Sequence, residues 1–308
     1  MINLFNFETY NIDTSQFTHI LHDKVVTEFE TMFANYVGAK YACGISSATN
    51  AIYLIFQDKC LVVKVPSMIP PVVVNAIVTN HKNLVEFYDD VTWIGNPYIL
   101  HTFDDYKVID SAQYVQKNQF KNTANDEDLM VFSFYPTKPI SSCDGGMIVS
   151  NDKSKIDWFR AAVHNGTTPG TNSWDRKILF PGYKMYLSSI QAYIAMNNLL
   201  LYDNKIKEID HIRNYYNMQL GYSNTSSHLY TIRVRNNKDF LSYMKSKDIQ
   251  CGIHYEPLHL NEVYNKYAIN RKSLPLTEEA ANKIVSIPFH WKLTLSEVSD
   301  VCHTIKAY

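Results

Sequence analysis

The most informative segment of the chain is LMVFSFYPTK, residues 129–138. Its apolar, aromatic and β-branched residues predict a strand over 129–135, and residues 147–149 predict a second strand after a turn. Lys138 lies in that turn, at the rigid end of a sheet, where an amine can lose its water and become nucleophilic. A lysine after a strand is usually just an exposed residue, so a functional role for Lys138 needs support from elsewhere in the chain.

Two further segments supply that support. Residues 108–113, VIDSAQ, predict a short buried strand that ends in an acid, Asp110, and is followed by an amide, Gln113. Residues 41–56 predict a strand that runs into a helix, with the small and hydroxylated residues 46–49 at the helix start. The backbone N–H groups at such a helix start, together with the helix dipole, favour an anion.

Together these segments provide the parts of one binding site: a helix start, an acid at one strand end and an amine at another. It suits pyridoxal phosphate, because the helix start would hold the phosphate, Asp110 would pair with the ring nitrogen and Lys138 would bond to the aldehyde. We therefore expect a pyridoxal-phosphate site at the carboxyl ends of the strands and no metal centre.

The order of the predicted elements is typical of an α/β protein. Strands and helices alternate, which predicts a mostly parallel sheet wrapped by helices, with ligands at the carboxyl ends of the strands. The predicted segments are 41–45, 50–56, 61–65, 71–79, 84–88 and 106–110.

A smaller lobe is expected at the C-terminal end of the chain. A long helical pattern begins after Ser189, and strands are predicted over 229–234 and 251–255. Residues 294–297, TLSE, fit a capping box for a last helix. Since 308 residues exceed the size of one ordinary core, we predict two domains. They are a large cofactor-binding domain, 1–205, and a small α+β domain, 206–308.

Composition narrows the class of protein. Hydrophobic residues make up 46% of the chain and the formal net charge is −1, so there is no basic excess of the kind that nucleic-acid and membrane-surface proteins carry. The longest apolar stretch, 61–78, is interrupted by a lysine and three prolines, which is not the pattern of a membrane span. The five cysteines are scattered and the first residues do not resemble a signal peptide. We expect a cytoplasmic protein with reduced thiols.

Other side chains that could carry chemistry have simpler explanations. Asp89-Asp90 and Asp104-Asp105 are expected to be solvated turn acids. His254 and His259 flank a proline and so cannot share a helix face as zinc ligands, which favours loop packing or substrate contacts. Cys143 has no histidine near it in the sequence, so we expect it to be a filler residue.

Seven short segments, taken together and in order, carry more information than any of them alone. They are SSAT (46–49), VPS (65–67), DSAQ (110–113), SFYPTK (133–138), DGG (144–146), GYKMYLSSIQA (182–192) and HYEPLH (254–259). Over residues 24–308 the chain resembles the DegT/DnrJ/StrS family of sugar aminotransferases, and IVSIP at 284–288 resembles the closing motif of that family.

The resemblance implies a fold-type-I, pyridoxal-phosphate-dependent aminotransferase. Its substrate would be a keto-deoxy sugar linked to a nucleotide, its amino donor glutamate, and its assembly a homodimer with shared active sites. Lys138 would bond covalently to the cofactor and move the proton, and Asp110 would keep the ring protonated at its nitrogen. The other implied contacts are Gln113 near the phenolic oxygen, and the backbone of Ala48, the backbone and hydroxyl of Thr49 and the hydroxyl of Ser133 on the phosphate.

The chain also departs from the family pattern. Where the family has an aromatic residue over the cofactor ring, this chain offers only Met68 or Pro70. Ala48 replaces a glycine, and Lys184 or Tyr186 stands where a partner-subunit asparagine often reaches the phosphate. The chain is short for the family.

These residues bear on three alternative functions. Lys138 argues against the family's sugar dehydratases, which have histidine at that position. An aminocyclitol or other keto-substrate transaminase of the same fold stays possible, because the sugar-contacting residues vary. A degenerate, non-catalytic scaffold is supported by the missing aromatic residue, and the colour of the purified protein would distinguish it from an enzyme.

Overall fold

The structure is a computed structural model that describes residues 1–169, 173–270 and 272–308. Nine strands lie in this part of the chain. They are β1 (Tyr41–Ile45), β2 (Val62–Pro66), β3 (Leu84–Tyr88), β4 (Tyr98–Thr102), β5 (Lys107–Asp110), β6 (Leu129–Ser133), β7 (Gly146–Ser150), β8 (Tyr230–Arg233) and β9 (Ile284–Ile287).

Ten α-helices and four 3₁₀ helices lie in the same described ranges. The α-helices are α1 (Val25–Val37), α2 (Ala48–Phe56), α3 (Pro71–Val78), α4 (Gln119–Thr123), α5 (Lys153–Val163), α6 (Ser189–Leu200), α7 (Tyr202–Leu220), α8 (Asn237–Ser246), α9 (Pro275–Ala281) and α10 (Leu295–Ala307). The 3₁₀ helices are Thr14–Gln16, Ser173–Asp175, Leu258–Leu260 and Glu262–Tyr264.

The central sheet has five strands in the order β1-β7-β6-β5-β4. Every residue of β6 and β7 is buried, as expected for strands covered on both faces. Strands β1, β5 and β6 run in one direction, while β7 and β4 run against them. The predicted α/β class is therefore confirmed, and the sheet is mixed where we expected mostly parallel pairing.

A hairpin causes the reversal of β4. Strands β4 and β5 are joined by a tight turn that the Phe103 N–H closes on the Tyr106 carbonyl at 2.8 Å. A parallel pairing would need a crossover of a dozen residues or more, so a connection this short forces the antiparallel arrangement. The sequence prediction contained no strand at 98–102 and therefore missed this hairpin.

The remaining strands form two small sheets. Strands β2 and β3 pair in parallel, and helix α3 is the crossover between them. Strands β8 and β9 pair antiparallel beside a cluster of buried side chains from α7, α8 and α10. The predicted strand over 251–255 is wrong. Of these residues, Gly252 alone bridges to Ser286. The chain then turns away from the sheet, and the Leu258 N–H donates to the Ser67 carbonyl at 2.9 Å.

Backbone contacts divide the chain into two compact units. One contains 8–57 and 97–200, which we call the sheet unit, and the other contains 1–7, 58–96 and 201–308, which we call the terminal unit. The helical pattern after Ser189 is interrupted at Leu201, between α6 and α7. The domain boundary at residue 205 stays a prediction.

One local prediction concerns the start of the last helix. The capping box of α10 is confirmed, since the Thr294 hydroxyl accepts the Glu297 N–H at 3.2 Å and Glu297 in turn accepts the Thr294 N–H at 2.8 Å. Among the described residues, we find no helix that combines the length and the apolar character required to cross a bilayer.

Candidate active site

Three strands of the sheet unit end at the same edge of the central sheet. The register pairs Asp110, the last residue of β5, with Val131 of β6. Gly146, the first residue of β7, pairs with both Ser133, the last residue of β6, and Ile45, the last residue of β1. The acid, the start of the Lys138 turn and the start of α2 therefore lie along one edge.

Asp110 is buried, with 5% of its surface exposed, and both of its carboxylate oxygens accept hydrogen bonds. The Ala112 N–H donates to Oδ1 at 2.9 Å, and the Tyr98 hydroxyl donates to Oδ2 at 2.8 Å. Burial raises the pKa of Asp110, while the two hydrogen bonds and the charge of Lys138 oppose that rise. The carboxylate is thus held in one orientation in a poorly solvated place.

Lys138 lies in the turn after β6, where its N–H donates to the Tyr135 carbonyl at 2.8 Å. Lys138 as a residue is half-buried. Desolvation lowers the pKa of Lys138 to about 8, and the negative charge of Asp110 works in the opposite direction. An amine with such a pKa is partly neutral near physiological pH, which a nucleophile requires.

The start of α2 supplies the anion-binding end of the site. The Ser47 side chain caps the helix by accepting the Asn50 N–H at 3.2 Å. Ala48 and Thr49 are the first two residues of the helix, so their N–H groups point toward its N-terminal end. Gly146 packs so closely here that a Cβ at its position would lie 2.6 Å from the Ala48 nitrogen.

The other predicted cofactor contacts also lie near this edge. Ser133 is buried, and its hydroxyl accepts the Tyr135 N–H at 3.3 Å. Gln113 is buried in the turn that follows Asp110. That turn is closed by the Tyr114 N–H, which donates to the Ser111 carbonyl.

The segment 182–186 runs beside the end of β1. The Ser46 N–H donates to the Met185 carbonyl at 2.7 Å, and Tyr186 bridges to Ile45. The Tyr186 ring lies 4.4 Å from that of His22 and 5.3 Å from that of His164. Tyr186 was predicted to lie near the phosphate, but neither histidine was predicted, because their separation along the chain gives no signal of this contact.

Two residues considered for the cofactor ring belong to the terminal unit. Met68 is fully buried and Pro70 is half-buried. In the same unit His259 is hydrogen-bonded to Ser67 and Glu278, which agrees with a role in loop packing. Within the described ranges, no three histidine, cysteine or acidic side chains come together as a metal site.

The residues of the sheet unit fit pyridoxal phosphate. A buried carboxylate suits its protonated ring nitrogen, an amine of lowered pKa suits its aldehyde, and a helix start suits its phosphate. The contact of Tyr98 with Asp110 was not predicted from the sequence. The signal that could have pointed to it is the acidic turn at 104–105 between two apolar segments, which is compatible with a hairpin and so with a strand that pairs beside β5.

Comparison with known proteins agrees with this geometry. A model of the DegT/DnrJ/EryC1/StrS aminotransferase family matches residues 9–70 and 108–306. The unmatched residues between these ranges include α3, β3 and β4.

Similar proteins act on sugars linked to nucleotides. A UDP-4-amino-4,6-dideoxy-N-acetyl-beta-L-altrosamine transaminase of Campylobacter jejuni is 24% identical, over 97% of this chain and 95% of its own. A dTDP-3-amino-3,6-dideoxy-alpha-D-galactopyranose transaminase of Aneurinibacillus thermoaerophilus is also 24% identical, over 92% and 90%. The structure of the aminotransferase TlmJ from Streptoalloteichus hindustanus has a TM-score of 0.82 at 19% identity, over 100% of this chain and 98% of its own, which supports the fold.

Proposed function

The chain belongs to the DegT/DnrJ/EryC1/StrS aminotransferase family, and from that premise we propose that it transfers an amino group from glutamate to a keto-deoxy sugar carried on a nucleotide. It is a pyridoxal-phosphate-dependent aminotransferase with a fold-type-I architecture. When bound, the cofactor supplies an aldehyde that bonds to amines and a ring that accepts the electron pair of a broken C–H bond.

One observation carries the assignment of roles: Asp110 and Lys138 act on each other electrostatically, and their pKa values are shifted in opposite directions. Lys138 holds the cofactor through its amine. Once displaced by the donor, the same amine takes a proton from one carbon and delivers it to another, for which a pKa near neutrality is suited. Asp110 keeps a proton on the ring nitrogen.

The phosphate is assigned to the start of α2. The N–H groups of Ala48 and Thr49 would donate to it, and the hydroxyls of Thr49 and Ser133 would complete the contacts. The Ser133 hydroxyl accepts a hydrogen bond from Tyr135, which leaves its own proton available for donation. Gln113 is assigned to the phenolic oxygen of the cofactor.

The substrate class is supported by what the similar proteins act on. The two named transaminases, which cover nine-tenths or more of this chain, produce or consume amino sugars linked to UDP and to dTDP. A nucleotide-linked keto sugar is the common feature of those substrates, so it is the class we propose here.

We further propose a homodimer with shared active sites, working in the cytoplasm on small molecules, with neither nucleic acid nor membrane as a partner. The support is the resemblance to the family and the near-neutral charge of the chain.

Two measurements test the proposed function. Purified protein loaded with cofactor should absorb visible light, and borohydride should remove that absorbance and leave the cofactor covalently attached to the peptide that contains Lys138. A panel of UDP- and dTDP-linked keto sugars should then be incubated with glutamate and analysed by mass spectrometry for the exchange of oxygen for an amine. A colourless protein that cannot be reconstituted would contradict the assignment, as would coloured protein that aminates no member of the panel.

A further inference from the structure

The reversed strand β4 brings an unexpected residue to the active-site edge. Because β4 runs antiparallel to β5, its first residue, Tyr98, pairs in register with Asp110. With the opposite direction, the last residue of the strand, Thr102, would lie at this edge instead. The tight turn between the two strands therefore determines which side chain meets the acid.

The contact between these two residues is direct. The Tyr98 hydroxyl donates to Asp110 Oδ2 at 2.8 Å, and the Ala112 N–H donates to Oδ1 at 2.9 Å. Two donors on opposite oxygens fix the plane of the carboxylate as well as its position. Tyr98 lies between the two ranges matched by the family model, so membership of the family assigns it no role.

We propose that Tyr98 is a positioning residue for the reaction, one that orients the Asp110 carboxylate toward the cofactor and keeps it ionised. The inference rests on the proposed role of Asp110. A phenol that donates to a carboxylate stabilises the charged form, and this matters most where water is excluded. The second donor, the Ala112 N–H, belongs to the backbone and is present in every side-chain variant, so the contribution of Tyr98 can be removed separately.

The groups that act on Asp110 are few enough to separate. In the described part of the chain they are Tyr98 on β4, the Ala112 N–H in the following turn and Lys138 after β6. Burial raises the pKa of Asp110 and all three oppose it. Loss of the Tyr98 hydroxyl should therefore raise that pKa further, so that Asp110 becomes protonated at a higher pH.

The test is Tyr98→Phe, with Tyr114→Phe as the matched control, since the Tyr114 hydroxyl donates to the nearby Gln116 in an exposed position. We expect Tyr98→Phe to lower kcat/KM about tenfold, as the loss of a hydrogen bond to a charged group does. Cofactor affinity, measured by fluorescence, should also weaken, and its decline on acidification should begin at a higher pH than in the wild type. Tyr114→Phe should match the wild type in both measurements.

A double-mutant cycle with Asp110→Asn separates this inference from the proposed function. If Tyr98 acts through Asp110, adding Tyr98→Phe to Asp110→Asn should change cofactor affinity little. An equal loss in both backgrounds would overturn the inference, as would a Tyr98→Phe profile that coincides with that of Tyr114→Phe. Normal affinity and turnover in Asp110→Asn alone would instead overturn the role of Asp110.

A second variant keeps the test decisive if Tyr98→Phe folds poorly. A fluorinated tyrosine introduced at position 98 keeps the ring and makes its hydroxyl a stronger donor. The acidic decline of cofactor affinity should then move to lower pH, opposite to the shift in Tyr98→Phe. An unchanged profile, or a shift to higher pH, would contradict the role of Tyr98.

Discussion

The sheet unit contains two acid–base pairs in poorly solvated positions, and they are built differently. Arg160 of α5 contacts Glu30 of α1 directly at 2.7 Å and also donates to the Ala42 carbonyl at 2.7 Å. The other Glu30 oxygen accepts the Gly44 N–H at 2.7 Å. Asp110 and Lys138, by contrast, influence each other electrostatically. The ion pairs found among the described residues do not include a direct contact between these two.

The difference shows what each pair is suited to do. Burial raises the pKa of Glu30, against the opposing effects of the Arg160 guanidinium and the Gly44 N–H, and direct partners hold the carboxylate in place. Such a pair joins helices α1 and α5 to strand β1, and this structural role requires no change of protonation. In the second pair the acid is fixed but the amine is not bonded to it, which leaves that amine able to react.

Lys138→Ala should have the largest effect on activity. Without the amine, turnover should fall by at least ~10⁴-fold, the scale seen when a covalent nucleophile is removed, while the fold is retained. Steady-state assays and borohydride labelling measure the loss, with thermal unfolding as the check on folding. Lys153→Ala is the control, because Lys153 pairs with Asp157 on the exposed surface. Turnover within tenfold of the wild type would refute the role of Lys138.

Asp110→Asn should come next. The variant keeps the shape of the side chain but loses the charge, so we expect kcat to fall about 100-fold or more, as for other groups that stabilise charge in a transition state. Its free energy of unfolding without cofactor should be unchanged or slightly higher, because a buried charge has been removed. Denaturant unfolding and steady-state kinetics test both parts. Asp105→Asn, an exposed acid in the same hairpin, should affect neither quantity.

Glu30→Gln should show the reverse pattern. Removing one member of a buried pair leaves the other charge poorly compensated, so the free energy of unfolding should fall by about 3 kcal/mol. We expect the lower end of the usual range because 37% of the Arg160 side chain is exposed. The kcat of the folded enzyme should stay within twofold of the wild type. Glu28→Gln on the same helix, which breaks an exposed pair with Lys24, is the control and should cost less than about 1 kcal/mol.

If Glu30→Gln lost activity without losing stability, the distinction between the two pairs would fail. The same would hold if Asp110→Asn were destabilised as strongly as Glu30→Gln while retaining turnover. The two variants thus test the comparison from both sides.

The comparison also explains how far the sequence could predict this molecule. Asp110 was identified because it ends a buried strand, and Lys138 because it lies in the turn that follows one. Both positions are visible in a short stretch of sequence. The contact of Tyr98 with Asp110 was missed because it depends on the direction in which β4 pairs. The partnership of Glu30 and Arg160 was missed for a related reason, since 130 residues separate them and only the packed helices bring them together.

The last expected effect is on the free energy of unfolding at alkaline pH. The pKa of Lys138 falls from an ordinary value of 10.5 in the unfolded chain to about 8 in the folded one. Between these values the unfolded chain binds a proton that the folded chain lacks, so this group makes the free energy of unfolding rise with pH from about 8 to 10.5. Below pH 8 both states are protonated and its contribution becomes constant.

The direction in which Lys138 changes the free energy of unfolding with pH can be isolated by comparing the cofactor-free wild type with Lys138→Met. Burial raises the pKa of the Cys43 thiol, and desolvation raises that of the half-buried Cys251 thiol. These thiols and every other titrating group away from Lys138 contribute equally to both proteins and cancel in the difference. The unfolding free energy of the wild type, relative to the variant, should therefore increase from pH 8 to pH 10. Parallel curves would show that the amine is no less solvated in the folded protein than in the unfolded chain. Lys138 would then lack the lowered pKa that distinguishes it from Arg160, whose guanidinium stays charged beside Glu30.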